Sequence, residues 1–161
     1  MKKILFGFFL VSVFSGCLKA DETNNTNCTY NECGVVAPTS EIQAVKDYLS
    51  ANSITATQHC SGLFYKVDDP GTGAAPTACS NVAFSYEGKL TNGSTFDKST
   101  QPVVFNLSQL IRGFQIGMMQ VKAGGHLHLY VPPTLGYGAN SSGSIPPNSV
   151  LIFDVTLVGV Q

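Results

Sequence analysis

The 161-residue chain predicts an α+β domain: four or five antiparallel strands and one short central helix, with one further helix ahead of them. Three observations carry this. Between Gly62 and Val158 apolar residues recur at alternate positions in several short runs, the period of a strand with one face buried. Turn residues (Pro, Gly, Asn-Gly) separate those runs. The period lengthens to that of a helix in two places, within residues 41–51 and 110–120.

Taken in order, Ser40-Glu41-Ile42-Gln43 has the spacing of a capping box, and Ile42, Val45 and Leu49 follow at helical spacing. A helix over Glu41 to Ala51 is expected, ended by Asn52-Ser53. Its apolar stripe packs on the domain or on a second copy of the chain in a homodimer. Leu63, Tyr65 and Val67 alternate with polar or outward residues and predict a strand, followed by a turn-rich stretch from Asp68 to Ala75. Val82, Phe84 and Tyr86 predict the next. Thr91-Asn92-Gly93-Ser94 is a hairpin signal of type I′, because Asn-Gly tolerates positive φ, and Phe96-Asp97 opens the return arm. Pro102 to Leu107 is expected as a separate strand. Ile111, Phe114, Met118 and Met119 mark a helix over Leu110–Gln120. Gly113 and Gly117 on that helix cost about 1 kcal/mol each against alanine, so close packing on the sheet is their expected compensation. Leu127, Leu129 and Val131 alternate with His126, His128 and Tyr130. The last strand places Leu151, Phe153, Val155 and Leu157 on one face, Asp154 and Thr156 on the other.

Charged residues make up only 12% of the chain and apolar ones 43%, which excludes a disordered or coiled-coil protein. The formal net charge is −1 and no basic cluster exists, so nucleic acid is not an expected partner. Lys2-Lys3 followed by the apolar run Ile4 to Phe14 reads as a signal peptide, too short to span a bilayer comfortably. Val13-Phe14-Ser15-Gly16-Cys17 resembles a bacterial lipobox, in which Cys17 is lipidated and becomes the new N-terminus. Cleavage after Ala20 is the competing reading. Both imply export, to the bacterial periplasm or outer membrane. The expected organisation is a leader (1–17), a polar tether (18–40), a helical segment (41–59) and one domain (60–161).

Cys28, Cys33, Cys60 and Cys79 form an even set in an exported chain, as expected of two disulfides. Three connectivities are open. The favoured one closes a small loop with Cys28–Cys33 and joins two strand openings with Cys60–Cys79. Cys-x4-Cys without a matching pair makes a poor zinc site.

The usual catalytic constellations are missing. His59, His126 and His128 are the only histidines, and no nucleophile elbow accompanies them. His126 and His128 share a strand face, but no third ligand is evident from spacing. A solvated or interface face is expected there, with no metal. Asp97 and Asp154 are the only carboxylates at defined positions of the core motifs, and no phosphate loop is present. What remains is a set of apolar and aromatic residues with two polar handles, Asp97 and Tyr137. That suits a reaction needing no nucleophile, metal or cofactor.

Several motifs occur together and in order: Val82-x-Phe84-x-Tyr86-x-Gly88-x-Leu90, Asn92-Gly93-x-x-Phe96-Asp97, Leu110-Ile111-x-Gly113-Phe114, Leu135-Gly136-Tyr137-Gly138, Ile145-Pro146-Pro147-Asn148 and Leu151-x-Phe153-Asp154-Val155. As a set, over about residues 60–160, they strongly resemble the FKBP-type peptidyl-prolyl cis-trans isomerases, in particular bacterial exported members. The resemblance implies an antiparallel half-barrel wrapped around a short helix, with a proline pocket between them and no cofactor. By matching positions the substrate-binding residues would be Tyr86, Phe96, Leu110, Ile111, Phe114, Tyr137, Ile145 and Phe153, with Asp97, Tyr137 and Tyr86 carrying catalysis. The Ile111 N–H and the Tyr137 hydroxyl would bond substrate carbonyls, while Asp97 would orient Tyr86 and bias the field at the twisting bond. Phe114 stands where tryptophan is frequent, Val103 replaces an aromatic, and the Asn140–Ser144 loop is short and unusually polar. The function implied is isomerisation of X-Pro bonds in unfolded or extended polypeptides, assisting folding in the cell envelope, with sensitivity to the family's macrolide inhibitors. The alternative is a tethered chaperone that binds prolyl or apolar segments without turnover.

Overall fold

In chain order the elements are α1 (Thr39–Ala51), β1 (Thr57–Gln58), β2 (Phe64–Asp69), β3 (Asn81–Leu90), β4 (Thr95–Asn106), α2 (Arg112–Met118), β5 (His126–Val131) and β6 (Leu151–Val160). Short 3₁₀ turns lie at Leu107–Gln109 and Pro133–Leu135. These come from a computed structural model that describes residues 28–161. The expected leader, Cys17 and the beginning of the tether lie outside the described residues.

The strands make one six-stranded antiparallel sheet of order β1-β2-β5-β6-β3-β4. Its two faces follow from the alternation. Val82, Phe84, Leu127, Leu129, Leu151, Phe153 and Val155 point inward and bury Phe114, Ile116 and Met118 of α2. Each such aliphatic or aromatic side chain contributes about 1.5–3 kcal/mol when fully buried. The glycines of α2 behave as expected: the Val131 and Leu129 side chains occupy the space that a Cβ at Gly113 or Gly117 would need. On the outer face Phe64, Tyr130 and Ile152 stand abreast across β2, β5 and β6 and receive Val45 and Leu49 of α1. The helix stripe is therefore covered by the chain's own sheet.

Several expectations change. α1 begins at Thr39 after Pro38, so Ser40 lies inside the helix and no side-chain cap forms. Glu41 instead accepts bonds from the Thr134 N–H and hydroxyl, both at 2.8 Å, which ties α1 to the Pro133–Leu135 turn. The β3–β4 hairpin is not type I′. The Gly93 N–H donates to the Leu90 carbonyl and the Leu90 N–H to the Ser94 carbonyl, and of the turn residues only Gly93 has positive φ (84°). This is the longer turn in which glycine supplies a left-handed bulge. The two strands expected on either side of Pro102 are one strand, β4. Between the pairs Tyr86↔Ser99 and Phe84↔Val103 the ladder shifts, and Thr100, Gln101 and Pro102 drop out of it. Because β4 is the sheet edge, a proline there forfeits no partner. The central helix is also shorter than expected, with Ile111 as its N-cap.

The disulfides join Cys28 to Cys79 and Cys33 to Cys60, with Cα–Cα distances of 5.9 and 5.6 Å, and so correct the expected pairing. The cause is the path of the arm. Residues 28–37 run along the domain, with Tyr30 and Val35 packed on the core, Ala37 buried, and the Ala37 N–H bonded to the Ser61 carbonyl at 2.9 Å. Cys28 and Cys33 thus each meet a distant partner. The inner bridge lies within the loop of the outer one, whose 51-residue separation corresponds to about 4 kcal/mol of loop-closure entropy. Reduction of both bridges is expected to lower the unfolding free energy by about 2–5 kcal/mol, read as a fall in the urea midpoint with and without reductant. An unmoved midpoint would show that the arm adds no stability.

Candidate active site

The cleft opens on the inner side of the sheet, between β3, β4, α2 and the loop after Pro133–Leu135. It has a volume of about 270 Å³ and is lined by Phe84, Tyr86, Phe96, Asp97, Phe105, Gln109, Leu110, Ile111, Phe114, Tyr137 and Phe153. Its floor is Phe114, only 4% exposed. Phe153 meets that ring edge-on at 5.3 Å, and Phe84 lies 5.0 Å from it. Phe96 in turn packs edge-on against Phe153 at 5.5 Å. Edge-to-face contacts of this kind match the ring quadrupoles. They fix a rigid apolar basket. Gly88 makes room for it, because a Cβ there would stand 2.5 Å from the Phe96 ring.

Polar groups of Tyr86, Asp97, Tyr137 and the Ile111 backbone border this apolar space. The Tyr86 hydroxyl donates to Asp97 Oδ2 at 2.5 Å, across the β3–β4 hairpin. Burial, followed by that bond and the Asp97 charge, pushes the Tyr86 phenol up to about 12. Tyr137, 39% exposed, sits between Gly136 and Gly138. Its loop is held by the N–H groups of both glycines on the Pro133 carbonyl, each at 2.9 Å, and by the Asn148 N–H on the Gly138 carbonyl at 2.8 Å. Gly138 takes φ of 61°, a left-handed conformation that glycine adopts without strain. Ile111 ends the segment from the 3₁₀ turn to α2, and among the described residues its backbone N–H meets no protein acceptor. Its carbonyl accepts from the Phe114 N–H at 3.0 Å and the Gln115 N–H at 3.1 Å, so the peptide is held from the helix side. The Gln115 side chain donates to the Leu110 carbonyl at 2.7 Å and fixes the same corner.

Eight of the nine residues singled out from sequence line this cleft. Ile145 does not. It is 5% exposed and packs in the core beneath the loop, where its backbone bridges to Ser142. Phe84, Phe105 and Gln109 also line the cleft and were missed as site residues. Phe84 was readable only as an inward strand residue. Phe105 shares a strand face with Val103, and its ring reaches the cleft wall 6.0 Å from Phe84. Nothing in its surroundings marks Gln109.

The raised tyrosines predict an alkaline limit. Burial pushes Tyr130, under α1, up to about 12, as it does Tyr86. Ionising either phenol costs more in the folded than in the unfolded chain. The stability they confer is therefore complete below about pH 10 and is lost as pH rises toward about 12. Urea midpoints are expected to fall across that window, and Tyr86→Phe should remove part of the slope. A midpoint that stays level across the window would contradict the assignment.

Comparison with known proteins places this geometry. The sequence profile of the FKBP-type peptidyl-prolyl cis-trans isomerases matches residues 73–158. A probable FKBP-type peptidyl-prolyl cis-trans isomerase of Haemophilus influenzae is 42% identical over 119 residues, covering 71% of this chain and 48% of that protein. The peptidyl-prolyl cis-trans isomerase Mip of Coxiella burnetii is 43% identical over 105 residues, covering 63% of this chain and 46% of that one. The chain spans about half the length of the curated relatives it matches. Among solved structures, FkpA of Escherichia coli superposes with a TM-score of 0.69 at 35% identity, over 76% of this chain and 60% of that one. A peptidyl-prolyl cis-trans isomerase of Pseudomonas syringae pv. tomato does so with a TM-score of 0.67 at 30% identity, over 80% and 99%. Motif order, sheet topology, aromatic cleft and sequence match agree, and the chain belongs to the FKBP-type peptidyl-prolyl cis-trans isomerase family.

Proposed function

We propose that the chain accelerates cis-trans rotation of X-Pro bonds in unfolded or extended polypeptides, with the prolyl ring seated on Phe114. The observation that carries this is an aromatic-lined basket with the Ile111 N–H, which meets no protein acceptor among the described residues, and the Tyr137 hydroxyl on the same cleft. A planar amide resists rotation by about 18–20 kcal/mol because resonance stabilises it, and an X-Pro bond turns over in tens to hundreds of seconds. Twisting it breaks that resonance and makes the C–N unit less polar. An apolar cleft withholds the water that favours the planar dipolar form. The Ile111 N–H and Tyr137 hydroxyl hold the flanking carbonyls, and the Asp97 carboxylate fixes Tyr86 and sets the field. The twisted form is then bound better than either planar one, which is what lowers the barrier. No proton or covalent bond changes hands.

A protease-coupled assay on a proline peptide tests it. Acceleration by the full chain at catalytic concentration, competed by a macrolide of the class that binds this family, is the expected result. Saturable peptide binding with no acceleration would instead favour the tethered chaperone.

We also propose that the protein acts in the bacterial envelope on exported chains. Lys2-Lys3 with the apolar run after them, and two disulfides in the described residues, support that compartment. Mass spectrometry of the mature N-terminus decides the anchor: a lipid-modified Cys17 supports membrane attachment, and an unmodified chain starting at Asp21 refutes it.

A further inference from the structure

On the face of the sheet opposite the cleft, four side chains from three strands converge. His126 and His128 come from β5, Asp68 from β2 and Asp154 from β6. Strand register builds the cluster. Lys66, His128 and Asp154 stand abreast on β2, β5 and β6, one row from the Phe64–Tyr130–Ile152 row beneath α1. Between Val67 and Asp69 the β2 ladder slips, so Asp68 leaves it. Its Oδ2 lies 2.8 Å from His128 Nε2 and 3.3 Å from His126 Nδ1. The two rings meet edge-to-face with centroids 5.1 Å apart.

We infer that Asp68, His126 and His128 form a binding site for a divalent first-row transition-metal ion, zinc foremost, with Asp154 as the outer carboxylate that orients His126.

The donor set is the first reason. Two imidazoles and one carboxylate are a three-ligand set that zinc accepts, leaving one position for water. The three ligand atoms already lie within 4.8 Å of one another. Bonds of about 2.0–2.2 Å to a tetrahedral ion would set them roughly 3.4 Å apart, a small adjustment. Hydrogen-bond bookkeeping is the second. His126 Nε2 lies 2.7 Å from Asp154 Oδ1. A neutral imidazole has a single N–H. If Asp154 takes it, the His126 Nδ1 lone pair faces the Asp68 oxygen, acceptor against acceptor. An ion between them resolves that conflict. A carboxylate on the distal nitrogen is also the usual outer partner of a metal-bound histidine. Third, the other oxygen of Asp68 is held by Lys66 Nζ at 2.7 Å, which leaves Oδ2 to turn toward the rings. The rings are 32% and 26% exposed, open to an ion yet held on a sheet braced by α1.

Cys33, His59 and Cys60 also approach one another, but the Cys33–Cys60 disulfide leaves no thiolate there. The test therefore uses the full, disulfide-closed chain, titrated with zinc sulfate by calorimetry and with cobalt(II) by visible absorption. One ion per chain and a higher melting temperature with zinc are expected. His126→Gln/His128→Gln together, and Asp68→Asn alone, should abolish both effects. Asp154→Asn should weaken binding about 10- to 100-fold, and His59→Gln should leave it unchanged. Absence of saturable zinc binding overturns the site. So does binding that survives the double histidine variant, or that is lost in His59→Gln.

Discussion

Asp97→Val lowers kcat/KM on a proline peptide by about 10- to 100-fold and leaves the protein folded. The Tyr86 hydroxyl donates to Asp97 Oδ2 at 2.5 Å, a bond to a charged acceptor. Such bonds are worth about 1.5–3 kcal/mol, and each 1.36 kcal/mol is tenfold in rate when the stabilisation acts on the transition state. Asp97 itself is exposed on an edge strand, so exchanging its carboxylate for a similar branched side chain removes charge without opening the core. The loss should fall on kcat more than on KM, because the prolyl ring still finds its aromatic seat. Tyr86→Phe removes the other end of the bond. The double variant is expected to be no worse than the poorer single one, as for two residues acting through one contact. Unchanged turnover in Asp97→Val would remove Asp97 from the mechanism, and strictly additive losses would separate it from Tyr86.

What was legible in the chain is what is local. Alternation at Val82, Phe84 and Tyr86, or at Leu127, Leu129 and Val131, sets the inner face before any partner strand is known. The motifs around Asp97, Ile111 and Tyr137 lie beside a hairpin turn, at a helix cap and in a glycine-flanked loop, and Tyr86 lies on an alternating strand. Each is a local pattern, their meaning came from occurring as a set and in order, and folding brings them together on one cleft. Features that depend on the path of a distant segment were not legible. Cys28 and Cys33 lie close in sequence, yet the arm runs past Cys60 and Cys79 because Tyr30, Val35 and Ala37 dock on the domain. Pro102 reads as a break, and only its place on an edge makes one strand of two. Ile145 carries the same chemistry whether it lines the cleft or supports the loop, so its place needed the fold. Asp68 joins His126 and His128 only through a slip in the ladder that no periodicity marks.

Phe114→Ala should be the most damaging single change in the cleft, through stability and turnover together. The ring is nearly fully buried, joins α2 to the inner face of the sheet, and has Phe84, Phe153 and Tyr86 within 5.0–6.5 Å. Phenylalanine-to-alanine changes in cores cost about 3–5 kcal/mol, because the neighbours cannot collapse into the space; here α2 is already at its closest approach through Gly113 and Gly117. Denaturant titration should show that loss. Assayed at a temperature where the variant remains folded, kcat/KM should still fall roughly 100-fold, since a seat displaced by about an ångström misplaces the twisting bond. Phe114→Trp separates the two roles. One side of the ring faces the cleft of about 270 Å³, which can accept the larger indole, while the core side keeps its aromatic contacts. Stability and turnover should both stay close to wild type. If Phe114→Trp keeps its stability but loses turnover, the floor is tuned to the phenyl ring in this chain. If Phe114→Ala keeps its turnover while folded, the prolyl ring is seated elsewhere and Phe114 is only a core residue.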